Sequence, residues 1–228
     1  MNEPQPRRIR SFVRREGRLT DGQQRALDRL YPTWGVNWQP GELLRIDALF
    51  DRPAPLVLDI GFGDGEALAQ MASAHPERNY LGVEVYRAGT GQLLRQIETQ
   101  GLTNLKVLLG DASDLLREAI PAGALAGLQL FFPDPWPKKR HHKRRMVQAE
   151  WLATVADRLA ADGFLHMATD WAEYAEWMLE LSSAEPRLVN GHGGFAPNAG
   201  ERPPTRFERR GVRKGHDVFD LILSKLEA

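Results

Sequence analysis

Three carboxylates stand at the ends of short apolar runs: Asp59 in LVLDI (56–60), Glu84 in NYLGVEV (79–85) and Asp111 in LKVLLGD (105–111). Glycines at 61, 63 and 65 follow the first run, ahead of the helically spaced EALAQMASA (66–74). Glycine lets a backbone turn tightly and approach a ligand, and a helix N-terminus beyond it offers free N–H groups. A turn of this kind also occurs as a plain strand–helix connection, and any one acid can serve as a helix cap. Acids at the ends of three consecutive strands are harder to assign to capping alone. The spacing is GxGxG with Glu66 next, so the third glycine of a dinucleotide fingerprint is missing. Asp59 and Asp64 beside the turn would repel a pyrophosphate, whereas they suit a cationic ligand.

S-adenosylmethionine is such a ligand, carrying an ammonium and a sulfonium. Asp59, Gly61 and Gly63 are the candidate contacts at the first turn. Glu84, 23 residues after Gly61, can accept hydrogen bonds from both ribose hydroxyls, a role shared with nicotinamide enzymes. Asp111 can take the exocyclic amine of adenine.

After the fourth apolar run, LQLFFPD (128–134), comes FPDPWPKKRHHKRR (132–145). Prolines at 133, 135 and 137 stiffen the backbone around Asp134 and remove donors. Trp136 offers a flat surface for a base, and the basic run that follows is near enough for flanking phosphates. His141 and His142 are adjacent, with no cysteine or spaced histidine nearby, so no metal site is expected. They read as two more phosphate-facing donors.

Strands alternating with helices must position these residues. Helical spacing predicts helices over 20–30, 41–50, 66–74, 90–100, 113–120, 146–160 and 171–184, with strands at 163–170 and 216–226 completing the set. Trp151 and Trp177 fall among apolar residues at helical spacing and read as core. The pattern is α/β: a doubly wound, mostly parallel seven-stranded sheet of Rossmann-like form with a basic N-terminal extension. Residues 1–40 form the basic arm and short helix, and residues 41–228 the catalytic domain. Ligands belong at the carboxyl ends of the strands, where every motif above falls.

The net charge of zero conceals segregation. Residues 7–18, 138–145 and 202–214 hold 18 of the 30 cations and only two acids, Glu16 and Glu208. Each cluster alone reads as a solvated loop; three together favour a nucleic-acid partner. The absence of cysteine excludes disulfides and thiolate chemistry. No secretory signal or membrane-length apolar run is present, so a soluble, cytoplasmic protein is expected.

The 132–145 motif, with LDIGFGDG (58–65), VEV (83–85), ATDW (168–171) and PTRFERRG (204–211), resembles the bacterial tRNA (guanine-N7)-methyltransferase family. The resemblance runs from about residue 10 to residue 225. That family commonly has Glu where Asp59 stands, which keeps the charge but changes the reach. The resemblance implies a class I S-adenosylmethionine methyltransferase acting on N7 of the variable-loop guanine, position 46, of tRNA, as a monomer or homodimer. It implies cofactor contacts at Asp59, Glu84, Asp111 and Asp134, with Asp134 catalytic. It implies substrate contacts at Lys138, Asp170, Thr205, Arg206, Phe207 and Glu208. Asp170 also reads as a cap for the helix after it, and Thr205–Glu208 as part of a linker. A nicotinamide dehydrogenase fails on Glu66 and the basic clusters. A non-catalytic RNA-binding module leaves the three acids unexplained, and methyltransferases for other substrates remain the nearest competitor on composition.

Overall fold

The computed structural model describes residues 19–212, 215 and 217–227; the basic arm at 1–18 lies outside them. Helix α1 (Asp21–Trp34) begins at a capping box, in which Thr20 accepts the Gln23 amide and the Gln23 side chain accepts the Thr20 N–H. Its buried Ala26, Leu27 and Leu30 join one apolar cluster with Leu93, Leu94 and Ile97. The helix expected over 41–50 does not form. Only a 3₁₀ turn, Ile46–Ala48, is present. Gly41 sits at φ 89°, Leu43 is exposed, and the Leu44 amide bonds to the Ala119 carbonyl, so a tertiary hydrogen bond replaces the helical one.

The remaining elements are β1 (Leu56–Ile60), α2 (Glu66–Ala74), β2 (Asn79–Glu84), α3 (Arg87–Gln100), β3 (Leu105–Leu109), α4 (Ala112–Glu118), β4 (Leu125–Phe131), α5 (Ala149–Arg158), β5 (Leu159–Thr169), α6 (Ala172–Ser183), β6 (Leu188–Val189), α7 (Arg206–Val212) and β7 (Phe219–Lys225). They build a seven-stranded sheet of order β3-β2-β1-β4-β5-β7-β6. Strands β1 to β5 run parallel, and β7 lies antiparallel between β5 and β6. The α/β, mostly parallel expectation therefore holds. Strands β2 and β3 lie to one side of β1, and β4 and β5 to the other, so the C-terminal turns of β1 and β4 open together at the crevice where α/β proteins bind ligands.

Strand alternation sorts the core onto two faces. Leu58, Leu81, Leu128, Leu165 and Leu223 pack in one cluster with Leu115, Leu152 and Met178 of α4, α5 and α6. Val57, Tyr80 and Val107 face the other way, against α1, α2 and α3. On this second face Asp59, Gln129 and His166 lie in register across β1, β4 and β5, and all three are buried.

Several boundaries differ from expectation. Strand β4 begins and ends three residues early, because Phe132 turns to φ 53° and Pro133 has no N–H for the ladder. Strand β5 starts at Leu159, directly after α5, and passes through Asp162 at φ 58°. The two-residue β6 is too short to carry a periodic signal. Among the described residues no helix is long and apolar enough to cross a membrane.

Candidate active site

The glycine turn after β1 is shaped by backbone that L side chains rarely adopt. Gly61 and Gly63 sit at φ 75° and 62°, with open space where a Cβ would stand. Behind them α3 comes so close that a Cβ on Gly89 would lie 1.8 Å from the Gly63 carbonyl oxygen. Glu84 ties this turn to the end of β2. Its Oε2 accepts the Gly63 N–H at 3.0 Å, and its Oε1 accepts the Val85 and Tyr86 N–H groups at 2.7 and 3.1 Å. A carboxylate has about four acceptor sites, and the three backbone donors already hold this one in place.

Asp59 is buried at the C-terminal half of β1. Loss of solvation, with a smaller contribution from the Glu84 charge, pushes its carboxyl up to about 7. Burial likewise raises Glu84, opposed by its three backbone donors. Two carboxyls thus resist ionising together, and an added cation would relieve both. Asp111 caps α4, accepting the Ser113 N–H at 2.9 Å. An open, acceptor-rich and carboxylate-lined turn fits a cationic, ribose-bearing cofactor.

The FPDPW turn is the strained part of the site. Phe132 and Trp136 both hold positive φ, at 53° and 44°, on either side of exposed Asp134. Conformations of this kind cost about 1–3 kcal/mol each and persist only where surroundings impose them. The basic run forms a 3₁₀ helix, Lys139–Arg144, with Lys138 exposed at its start. Arg144 lies 3.8 Å over the Trp136 ring, so one face of the surface expected to take a base is covered by a guanidinium. The run is also less uniformly exposed than composition predicts. Arg145 is fully buried, and His142 packs inward within 3.3 Å of Glu173 and beside the Trp177 ring. Trp151 is core as expected, and Trp177 donates to the Val147 carbonyl at 2.9 Å.

The segment read as either linker or substrate contact is helix α7. Thr205 and Glu208 form a second capping box, each accepting the other's backbone N–H at 3.0 Å. Glu208 also pairs with buried Arg202, which donates to both oxygens of Asp220 at 2.9 Å. Asp220 in turn meets His166 Nε2 at 2.7 Å. Arg206 stands 3.6 Å from Asp64, Arg209 donates to Glu66 at 2.7 Å, and the half-exposed Phe207 ring lies 5.4 Å from Phe132. Helix α7 therefore bridges the glycine turn and the strand-four turn. Asp170 follows β5 directly; the N-cap of α6 is Trp171, whose N–H bonds to Thr169.

Sequence reasoning missed the buried row and its ion pairs. Polar residues inside otherwise apolar strands, such as His166 in FLHMA and Asp220 in FDLIL, were the available signal. Among the described residues no cluster of His, Asp or Glu could hold a metal ion.

Residues 53–221 match the model of a family described as "Putative methyltransferase". The tRNA (guanine-N(7)-)-methyltransferase of Alkalilimnicola ehrlichii is 59% identical over 97% of this chain and 94% of its own. The enzymes of that name from Halorhodospira halophila and Nitrosospira multiformis are 57% and 50% identical, covering 96% and 99% of this chain and 95% and 98% of theirs. Among solved structures, the 16S rRNA methyltransferase KamB superposes with a TM-score of 0.55 at 17% identity, over 78% of this chain and 89% of that one. An S-adenosylmethionine-dependent O-methyltransferase from Thermotoga maritima gives 0.52 at 16% identity, over 78% and 61%. At such identities the structures speak to the fold alone.

Proposed function

The chain belongs to the tRNA (guanine-N7)-methyltransferase family, and from that premise we propose that it methylates N7 of the variable-loop guanine, position 46, of tRNA with Asp134 holding the base. S-adenosylmethionine is the methyl donor and, when bound, supplies an electrophilic methyl on a sulfonium. Gly61 and Gly63 would line its cradle, Asp59 would face its positive charge, Glu84 would take a ribose hydroxyl, and Asp111 the adenine amine.

Guanine N7 carries an in-plane lone pair and no proton, so no general base and no covalent intermediate are needed. Catalysis then rests on placing the base in line with the methyl–sulfur bond. Asp134 can accept from guanine N1–H and the 2-amino group while its negative charge favours the cationic purine that develops. Adenine has no such pair of donors, so the same contact selects the base. Lys138 and Arg206 would meet phosphate or ribose, and Asp170 and Phe207 would border the base. Thr205 and Glu208 have internal partners, so we assign them to shaping the N-terminus of α7. The observation that carries this reading is the strained, rigid turn presenting Asp134 between a carboxylate-lined glycine turn and a basic run.

Bulk tRNA lacking the modification, incubated with labelled cofactor and mapped for 7-methylguanosine, tests the activity; no transfer sinks it. Asp134→Asn is expected to lower kcat about a hundredfold at saturating cofactor and, since Asp134 is also an implied cofactor contact, to weaken cofactor binding. A wild-type kcat would remove Asp134 from the chemistry. We place the enzyme in the cytoplasm, working as a monomer or a homodimer.

A further inference from the structure

Arg145 closes the run KKRHHKRR, and composition groups it with cations that await phosphate. Its surroundings say otherwise. Lys138, Lys139 and Arg140 are exposed, whereas the Arg145 side chain has no exposed surface at all. Its Nε donates to the Pro135 carbonyl at 2.9 Å, and its Nη2 to Glu173 Oε1 of α6 at 3.0 Å. The guanidinium lies 5.0 Å from the Tyr174 ring centre and 5.2 Å from that of Trp177.

A cation desolvated this completely is costly unless geometry repays it, and a lysine would not span these partners. The Pro135 carbonyl belongs to the peptide bond leading into Trp136, the residue held at φ 44°. Fixing that peptide fixes the C-terminal end of the strained turn. At the other end the guanidinium of buried Arg202 lies 5.4 and 5.5 Å from the rings of Phe131 and Phe132. Asp134 sits between these two supports.

We infer that Arg145 is a positioning residue for methyl transfer: it clamps the FPDPW turn onto α6 so that the Asp134 carboxylate holds one orientation toward the base, and it makes no phosphate contact. This rests on the reading of Asp134 given above. Misplacement of a reacting group by about 1 Å can cost about a hundredfold in rate, while phosphate neutralisation shows in the salt dependence of binding.

The test uses the full-length protein with Arg145→Lys, Arg145→Gln, Glu173→Ala, Lys139→Ala and Asp134→Asn. Single-turnover methyl transfer at saturating cofactor and tRNA is measured beside tRNA affinity over a salt series. Arg145→Gln is expected to slow transfer about a hundredfold and Arg145→Lys about tenfold. Both should leave tRNA affinity, its salt slope and cofactor affinity at wild-type values. Lys139→Ala, by contrast, should lower the slope by about one phosphate's worth. Wild-type transfer by Arg145→Gln, or a reduced salt slope in it, overturns the proposal. Should that variant not fold, Glu173→Ala removes the acceptor of the Arg145 Nη2 bond from a largely exposed position. A severalfold slower transfer at unchanged slope supports the clamp, and a wild-type rate there overturns it. Asp134→Asn separates this inference from its premise: slow transfer by that variant with fast Arg145 variants sinks the clamp alone, whereas a fast Asp134→Asn sinks the premise.

Discussion

Asp59 stores the clearest residue-scale cost in the molecule. Its carboxyl, pushed up to about 7 by burial and then by Glu84, holds a proton that the unfolded chain releases near the ordinary 3.8. Between those pH values unfolding releases a proton, so this group makes the cofactor-free protein less stable as pH rises toward 7 and adds no further change above it. A shift of that size corresponds to on the order of 4 kcal/mol. Asp59→Asn should recover part of it, raising the melting temperature of the free protein above pH 7 while weakening cofactor binding. Cation binding favours the ionised form, so cofactor affinity should rise with pH up to about 7, with a proton released on binding below it. Calorimetry in buffers of different ionisation heat measures that proton; its absence, or an unchanged pH profile in Asp59→Asn, would disprove the assignment.

Helix α7 shows what a short element gains from its ends. Seven residues are too few to stand without support, and α7 has it from the Thr205–Glu208 box, the Arg202 pair and the Arg209–Glu66 bond. Thr205→Ala should cost about 1 kcal/mol locally. Amide exchange over 206–211 is then expected to quicken, with KM for tRNA rising more than kcat falls, since Phe207 and Arg206 lose their placement. Unchanged exchange with a kcat-only defect would instead make Thr205 a direct participant. TRFE carries the S/T-x-x-E pattern of a capping box, but the flanking prolines and arginines lead to a linker reading. Only the partners Arg202, Glu66 and Phe132 decide between them.

Across the whole molecule, zero net charge coexists with three basic clusters, and the fold revises what two of them contribute. Arg145 and Arg202 are buried in internal pairs, so neither is available to phosphate. The N-terminal cluster, six arginines over 7–18 with one acid, is the third segment that composition marks for RNA. Deleting residues 1–18 should weaken tRNA affinity and flatten its salt dependence by roughly 0.7–0.9 for each phosphate the arm neutralises, with cofactor binding intact. Filter binding over a salt series reads this directly, and an unchanged slope would exclude the arm from the interface.

The alternation of apolar runs with helical stretches determined the α/β class, and the acids and glycines at strand ends marked the turn to which we assign the cofactor. Those signals survive because strand and helix periods are local properties of the chain. The strand-four motif singled out Asp134, the residue we propose holds the base, in the same way. Tertiary structure alone decided which polar groups are already satisfied. Glu84 spends most of its acceptors on backbone, Arg144 covers Trp136, Arg145 faces inward, and Asp59, Gln129 and His166 share a buried row. Such facts depend on partners tens of residues away: composition counts charges, and only packing says whether a charge meets solvent, a substrate or another side chain.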